Sequence, residues 1–70
     1  MSWNYRVVKK TIEGVTWYGI HEVYYDERGK PNMCTQDAID LQEESIEDLE
    51  FTINKTREAL SHPVLDYEEF

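Results

Sequence analysis

The chain has 70 residues and a net charge of -8, with a single cysteine and an aromatic share of 13%. That length holds one domain and one core. The lone cysteine excludes an internal disulfide, the aromatic content argues against disorder, and no run approaches the roughly 20 apolar residues of a membrane span. The first residues, Met1 to Arg6, carry no apolar run of the signal-peptide kind, so a cytoplasmic protein is expected.

The charge is uneven. Residues 1–35 hold five basic against four acidic side chains, and residues 36–70 hold two against eleven. An excess of that sign repels nucleic acid and anionic membranes and favours a basic protein partner. The same acid can also serve only to keep a small protein soluble.

Trp3 to Lys10 alternates, with Trp3, Tyr5 and Val7 on one face and Asn4 and Arg6 on the other, which predicts a strand. Gly14 suits a tight hairpin turn. Val15 to Tyr25 is rich in β-branched and aromatic residues and predicts a second strand. Its alternation is imperfect: Val15, Trp17, Val23 and Tyr25 share one parity, Tyr18 and Ile20 the other. Either a bulge near Gly19 to Glu22 or a strand apolar on both faces explains this. Asp26 to Lys30 reads as a loop. Pro31 leads into a short third strand over about Asn32 to Gln36, antiparallel because both connections are short.

Residues 37–44 form an acidic connector. Ser45-Ile46-Glu47-Asp48 then resembles a capping box, with Asp48 in place of the usual Glu. Leu49, Ile53, Thr56 and Leu60 follow at helical spacing, flanked by Ile46 and Ala59. Pro63 ends the helix at about Leu60 to Ser61. Val64 and Leu65 can return as an edge segment, and residues 66–70 read as a frayed acidic tail. The expected fold is therefore α+β: a three-stranded antiparallel meander with one helix on one face, a domain over residues 1–65, and the second sheet face open.

Chemistry has few candidates. His21, His62 and Cys34 lie on separate elements without the close pairing a zinc site needs, so no metal is expected. Cys34 lacks a local oxyanion hole and reads as a small buried hydrophobe. His21 reads as a strand histidine bonded to a neighbour. No glycine-rich phosphate loop exists, and a chain this small has little volume for an enclosed pocket, so neither enzyme activity nor a cofactor is expected. Two groups remain as candidate partner-binding residues: the sheet aromatics Trp17, Tyr18, Tyr24 and Tyr25, and the acids Glu43, Glu44, Glu47 and Asp48 at the helix start. The acids have a plainer reading as a solvated helix end. A strand left at a sheet edge can pair with its own copy, so a monomer or a weak homodimer is expected.

Two segments, Trp3-Asn4-Tyr5-Arg6-Val7-Val8 and Ile20-His21-Glu22-Val23-Tyr24-Tyr25-Asp26, resemble a family of short uncharacterised bacterial proteins. With Glu44-Ser45 and Pro63-Val64-Leu65, the resemblance spans nearly the whole chain and implies a fold but no activity. Thr16-Trp17-Tyr18-Gly19-Ile20 and Ser45-Ile46-Glu47-Asp48-Leu49 are more loosely similar to the N-terminal region of HicB-type antitoxins. The Pro- and Cys-containing segment usual after the second strand is absent, with Tyr24 to Gly29 in its place, and no DNA-binding extension follows. These readings imply a non-enzymatic protein–protein interaction module or, alternatively, an antitoxin-like or nucleic-acid-mimicking inhibitor of a basic nucleic-acid-handling protein.

Overall fold

A computed structural model describes residues 2–70. Strand β1 (Ser2–Ile12) and strand β2 (Val15–Tyr25) form a long antiparallel hairpin. Its two-residue turn has Glu13 at φ 52° and Gly14 at φ 82°, the left-handed pair that a type I′ turn requires. Ile12 therefore faces Val15, and the register runs unbroken to Ser2 opposite Tyr25. That continuity decides between the two alternatives for β2, since no bulge interrupts Gly19 to Glu22. β2 is a strand with apolar residues on both faces. A register shift occurs instead between Tyr24 and Tyr25, where β3 (Pro31–Cys34) joins β2 antiparallel. Asp26 organises the loop between them: its Oδ1 accepts from the backbone N–H of Arg28 at 2.8 Å and of Lys30 at 3.0 Å.

Helix α1 (Ile46–Arg57) starts as its cap predicts. Ser45 is extended, and its Oγ accepts from the N–H of Asp48 at 3.1 Å. Ser45→Ala removes that acceptor and is expected to cost about 1 kcal/mol, read as a lower urea midpoint with unchanged slope. A 3-10 turn (Glu58–Ser61) continues the helix. His62 is extended, as a residue before proline prefers.

The chain then adds a fourth strand, β4 (Leu65–Asp66), parallel to β1 at Val8 and Lys9. The sheet order is β3-β2-β1-β4, so the expected three-stranded antiparallel meander is in fact a mixed four-stranded sheet. The expected domain limit at residue 65 falls inside β4. The expected frayed tail holds a second 3-10 turn (Tyr67–Glu69), whose start is capped by Asp66.

Two layers flank the sheet. Strand period places Trp3, Tyr5, Val7, Ile20, Glu22 and Tyr24 on one face, and Asn4, Arg6, Val8, Gly19, His21 and Val23 on the other. The helix side covers the first face near β1, where Val7, Thr56 and Ala59 are buried. The second face, expected to be open, contains the largest fully buried side chains, Val8 and Val23, both at 0% exposure. The connector after β3 and the C-terminal segment cover its middle. Ala38 lies so close over Gly19 that a Cβ there would sit 2.8 Å from the Ala38 Cβ, and the Tyr67 ring packs 6.4 Å from that of His21. Lys10 Nζ reaches both the Gln36 carbonyl at 2.7 Å and the Tyr67 ring face at 4.3 Å.

The helix follows its sequence pattern only in part. Thr56 and Ala59 are buried and Leu49 and Thr52 half-buried, while Ile53 and Leu60, expected inside, are exposed along with Ile46. The larger side chains fall to its flank.

Candidate functional site

No single cleft gathers the chemistry-bearing residues; three surfaces do different things. The first is a groove of about 490 Å³ between the start of β1 and the helix, lined by Trp3, Tyr5, Phe51, Thr52, Lys55 and His62 among others. A chain this short was expected to enclose little volume, and this groove corrects that expectation. Trp3 and Tyr5 meet edge to face at 5.2 Å between centroids, and Trp3 lies 6.5 Å from Tyr24, its cross-strand neighbour. Burial, then the nearby Glu22 and Glu43 carboxylates, push the Tyr5 phenol up from its ordinary pKa. Tyr24 shifts the same way, chiefly because its hydroxyl donates to Glu22 Oε1 at 2.9 Å. Both phenols therefore stay neutral donors at physiological pH.

The second surface is the helix flank. Glu43, Glu44, Glu47 and Asp48 are all exposed at the helix start. Glu43 also accepts from the Thr52 hydroxyl at 2.9 Å, which ties the connector to the helix. Ile46 at 82% exposure and Ile53 in α1, with Leu60 in the 3-10 turn that follows, form an exposed apolar row spaced by seven.

The third is the outer half of the hairpin. Trp17 is 62% exposed and Tyr18 67%, with Ile12 and Val15 half exposed beside them. Trp17, Tyr18, Tyr24 and Tyr25 do not form one platform. Trp17 and Tyr25 point to one face and Tyr18 and Tyr24 to the other, and six residues of strand put Tyr18 and Tyr24 about 20 Å apart. Tyr25 is half-buried, and its hydroxyl donates to Asn4 Oδ1 at 2.7 Å while accepting from Arg6 Nη1 at 2.9 Å.

His21 is buried and donates from Nδ1 to the Thr35 carbonyl at 3.0 Å, the structural role its position suggests. Burial pushes the Cys34 thiol up, with Lys10 opposing weakly, which is the wrong direction for a thiolate nucleophile. His21 and Cys34 line different depressions. Among the described residues no cluster of three or more His, Cys, Asp or Glu side chains could hold a metal, and no helix is long and apolar enough to cross a membrane.

Sequence reasoning passed over the groove residues Trp3 and Phe51 and the Ile46 row. Phe51 gave a signal, being an apolar residue off the predicted stripe and hence without a place in the core.

Compared with known proteins, the chain matches no family model, no curated protein and no solved structure.

Proposed function

We propose that this chain is a small non-enzymatic protein–protein interaction module whose partner is a basic protein. One observation carries the reading. The chain exposes 5693 Å², whereas a compact monomer of its mass exposes roughly 4,600 Å². Its radius of gyration of 12.7 Å likewise exceeds the roughly 11 Å of a compact 70-residue domain. The surplus surface is of the order of the roughly 800 Å² that one partner buries in a stable complex. Much of it is apolar: Trp3, Trp17, Tyr18, Ile46, Phe51 and Leu60 are all exposed. Apolar surface in excess of what a small monomer exposes marks interaction sites, here on more than one face.

Charge supports the identity of the partner. By helical period Ile46 adjoins Glu50 and Glu47, while Asp48 falls on the other side of the helix, so an apolar contact at the Ile46 end would be flanked by carboxylates on one side. A basic surface satisfies those carboxylates, and an acidic one is repelled. The narrower form of the proposal, a partner that handles nucleic acid, uses the same surface and predicts that nucleic acid competes for it.

The test is native purification of the tagged chain from its source cells. A stoichiometric basic partner is expected at about 0.1 M salt and should be lost toward about 1 M, as the screening length falls from about 10 Å to about 3 Å. The Ile53→Asp, Leu60→Asp chain should lose the partner while keeping its circular dichroism, because both positions are exposed. A chain recovered alone at low salt would sink the reading.

A further inference from the structure

The outer half of the hairpin stands without a third strand. β4 reaches β1 only at Val8 and Lys9, and β3 reaches β2 only from Val23 onward. The connector takes the Glu22 carbonyl through the Thr35 N–H and the Ile20 carbonyl through the Ile39 N–H, and it leaves β2 there. In a two-residue hairpin, Ile12 and Val15 exchange both backbone bonds, so odd-numbered residues of β2 point their backbone groups at β1. Glu22 and Ile20 fit this, being even-numbered and bonded outward. By the same alternation Thr16 and Tyr18 point N–H and C=O outward, and no backbone partner meets them among the described residues.

We infer that this open edge pairs with the same edge of a second copy of the chain, antiparallel about a two-fold axis through Trp17. In that register Thr16 of each copy exchanges two backbone bonds with Tyr18 of the other, which satisfies all four outward groups of each chain. Trp17 then faces its own copy in a non-hydrogen-bonded pair, where Cα atoms approach to about 4.5 Å and side chains meet most closely. The ladder ends where it must, because the next outward carbonyl belongs to Ile20 and is already taken.

Three observations favour a second copy over a foreign strand. The edge is self-complementary: its outward groups are symmetric about Trp17. Residues Thr11 to Gly19 carry one charge, Glu13, so two copies meet here without the repulsion their acidic halves would impose. Ile12, Val15, Trp17 and Tyr18 are exposed on an arm that two strands alone stabilise poorly, and two further strands would support it. The inference stands apart from the proposed basic partner, which would engage the helix flank.

Sedimentation across micromolar to millimolar concentration tests it. The wild-type mass should rise from 8.4 kDa toward twice that value. Thr16→Pro removes an outward N–H without touching the β1 ladder and should hold the chain at the monomer mass, while Thr16→Val should still dimerise. Separately, Trp17→Cys in a Cys34→Ser chain should oxidise to a covalent dimer, because the expected Cα separation lies close to disulfide range. A wild type that stays monomeric, a dimer indifferent to Thr16→Pro, or a Trp17→Cys chain that does not cross-link would each overturn the pairing. If Thr16→Pro fails to fold, the cross-link decides alone.

Discussion

Arg6→Ala is expected to lower stability by about 2–4 kcal/mol, most of it at the C-terminal segment. Arg6 is 8% exposed and lies at the centre of the covered face. Its Nη1 donates to the Tyr25 hydroxyl at 2.9 Å, and its Nη2 to the Pro63 carbonyl at 2.7 Å. The second bond pins the chain between the helix and β4, 57 residues away in sequence. An opposing term exists. No carboxylate pairs with Arg6 among the described residues, and its buried Nε has no acceptor. Burying a cation in that state costs energy that alanine would recover. Loss of the fork wins, because alanine leaves the Pro63 carbonyl without its donor and empties the volume of the stem. Arg6→Met keeps the stem and removes the unpaired charge, so it should cost about half as much. Arg6→Lys should fall nearer alanine, since one ammonium cannot span both acceptors in the guanidinium's geometry. Urea unfolding gives the ranking. Hydrogen exchange should show residues 63–69 opening first in Arg6→Ala. Equal exchange along the whole chain would mean that Arg6 does not act as a clamp.

What the sequence could reveal follows the range of the forces involved. The hairpin, its turn and the Ser45 cap are local. Glu13-Gly14 and Ser45-Ile46-Glu47-Asp48 specify them within four residues, and they stand where the sequence places them. The return of Val64 and Leu65 to a sheet edge is legible at Leu65, but nothing there signals which strand it joins or that the pairing with Val8 is parallel. Arg6 shows the difficulty best. Alternation assigns it to a solvent face, and only a chain segment arriving from residue 63 turns that face inward. The helix pattern holds in part: Leu49 and Thr56 face inward as their spacing predicts, while Ile53 and Leu60, better core residues than Thr52 by hydropathy, stay on the surface. The candidate aromatics divide in the same way: position in β2 gives their faces, while their exposure depends on where β3 and the connector stop.

Val23→Ala should also cost much of the stability, and its size shows how thin the core is. Among the described residues only Val7, Val8, Val23 and Ala59 are buried hydrophobics, and Val23 is fully enclosed. Removing its two methyl groups forfeits about 0.8 kcal/mol each in transfer and leaves a cavity, for a total of about 2–3 kcal/mol. A core of this size yields only about 3–5 kcal/mol net, so the variant should keep roughly 0–3 kcal/mol and show a measurable unfolded fraction at ordinary temperature. The same change in a larger domain would be minor. If surplus apolar surface exists because a partner completes the fold, the partner should restore the variant: saturation at about 100 times Kd adds about 2.7 kcal/mol. Thermal unfolding of Val23→Ala with and without the purified partner, and across protein concentration, reads both effects. A midpoint that rises with protein concentration alone assigns the rescue to the second copy. A midpoint that moves only with the basic partner assigns it to the helix flank. A variant as stable as wild type would mean that Val23 does not hold the sheet to the segment covering its second face.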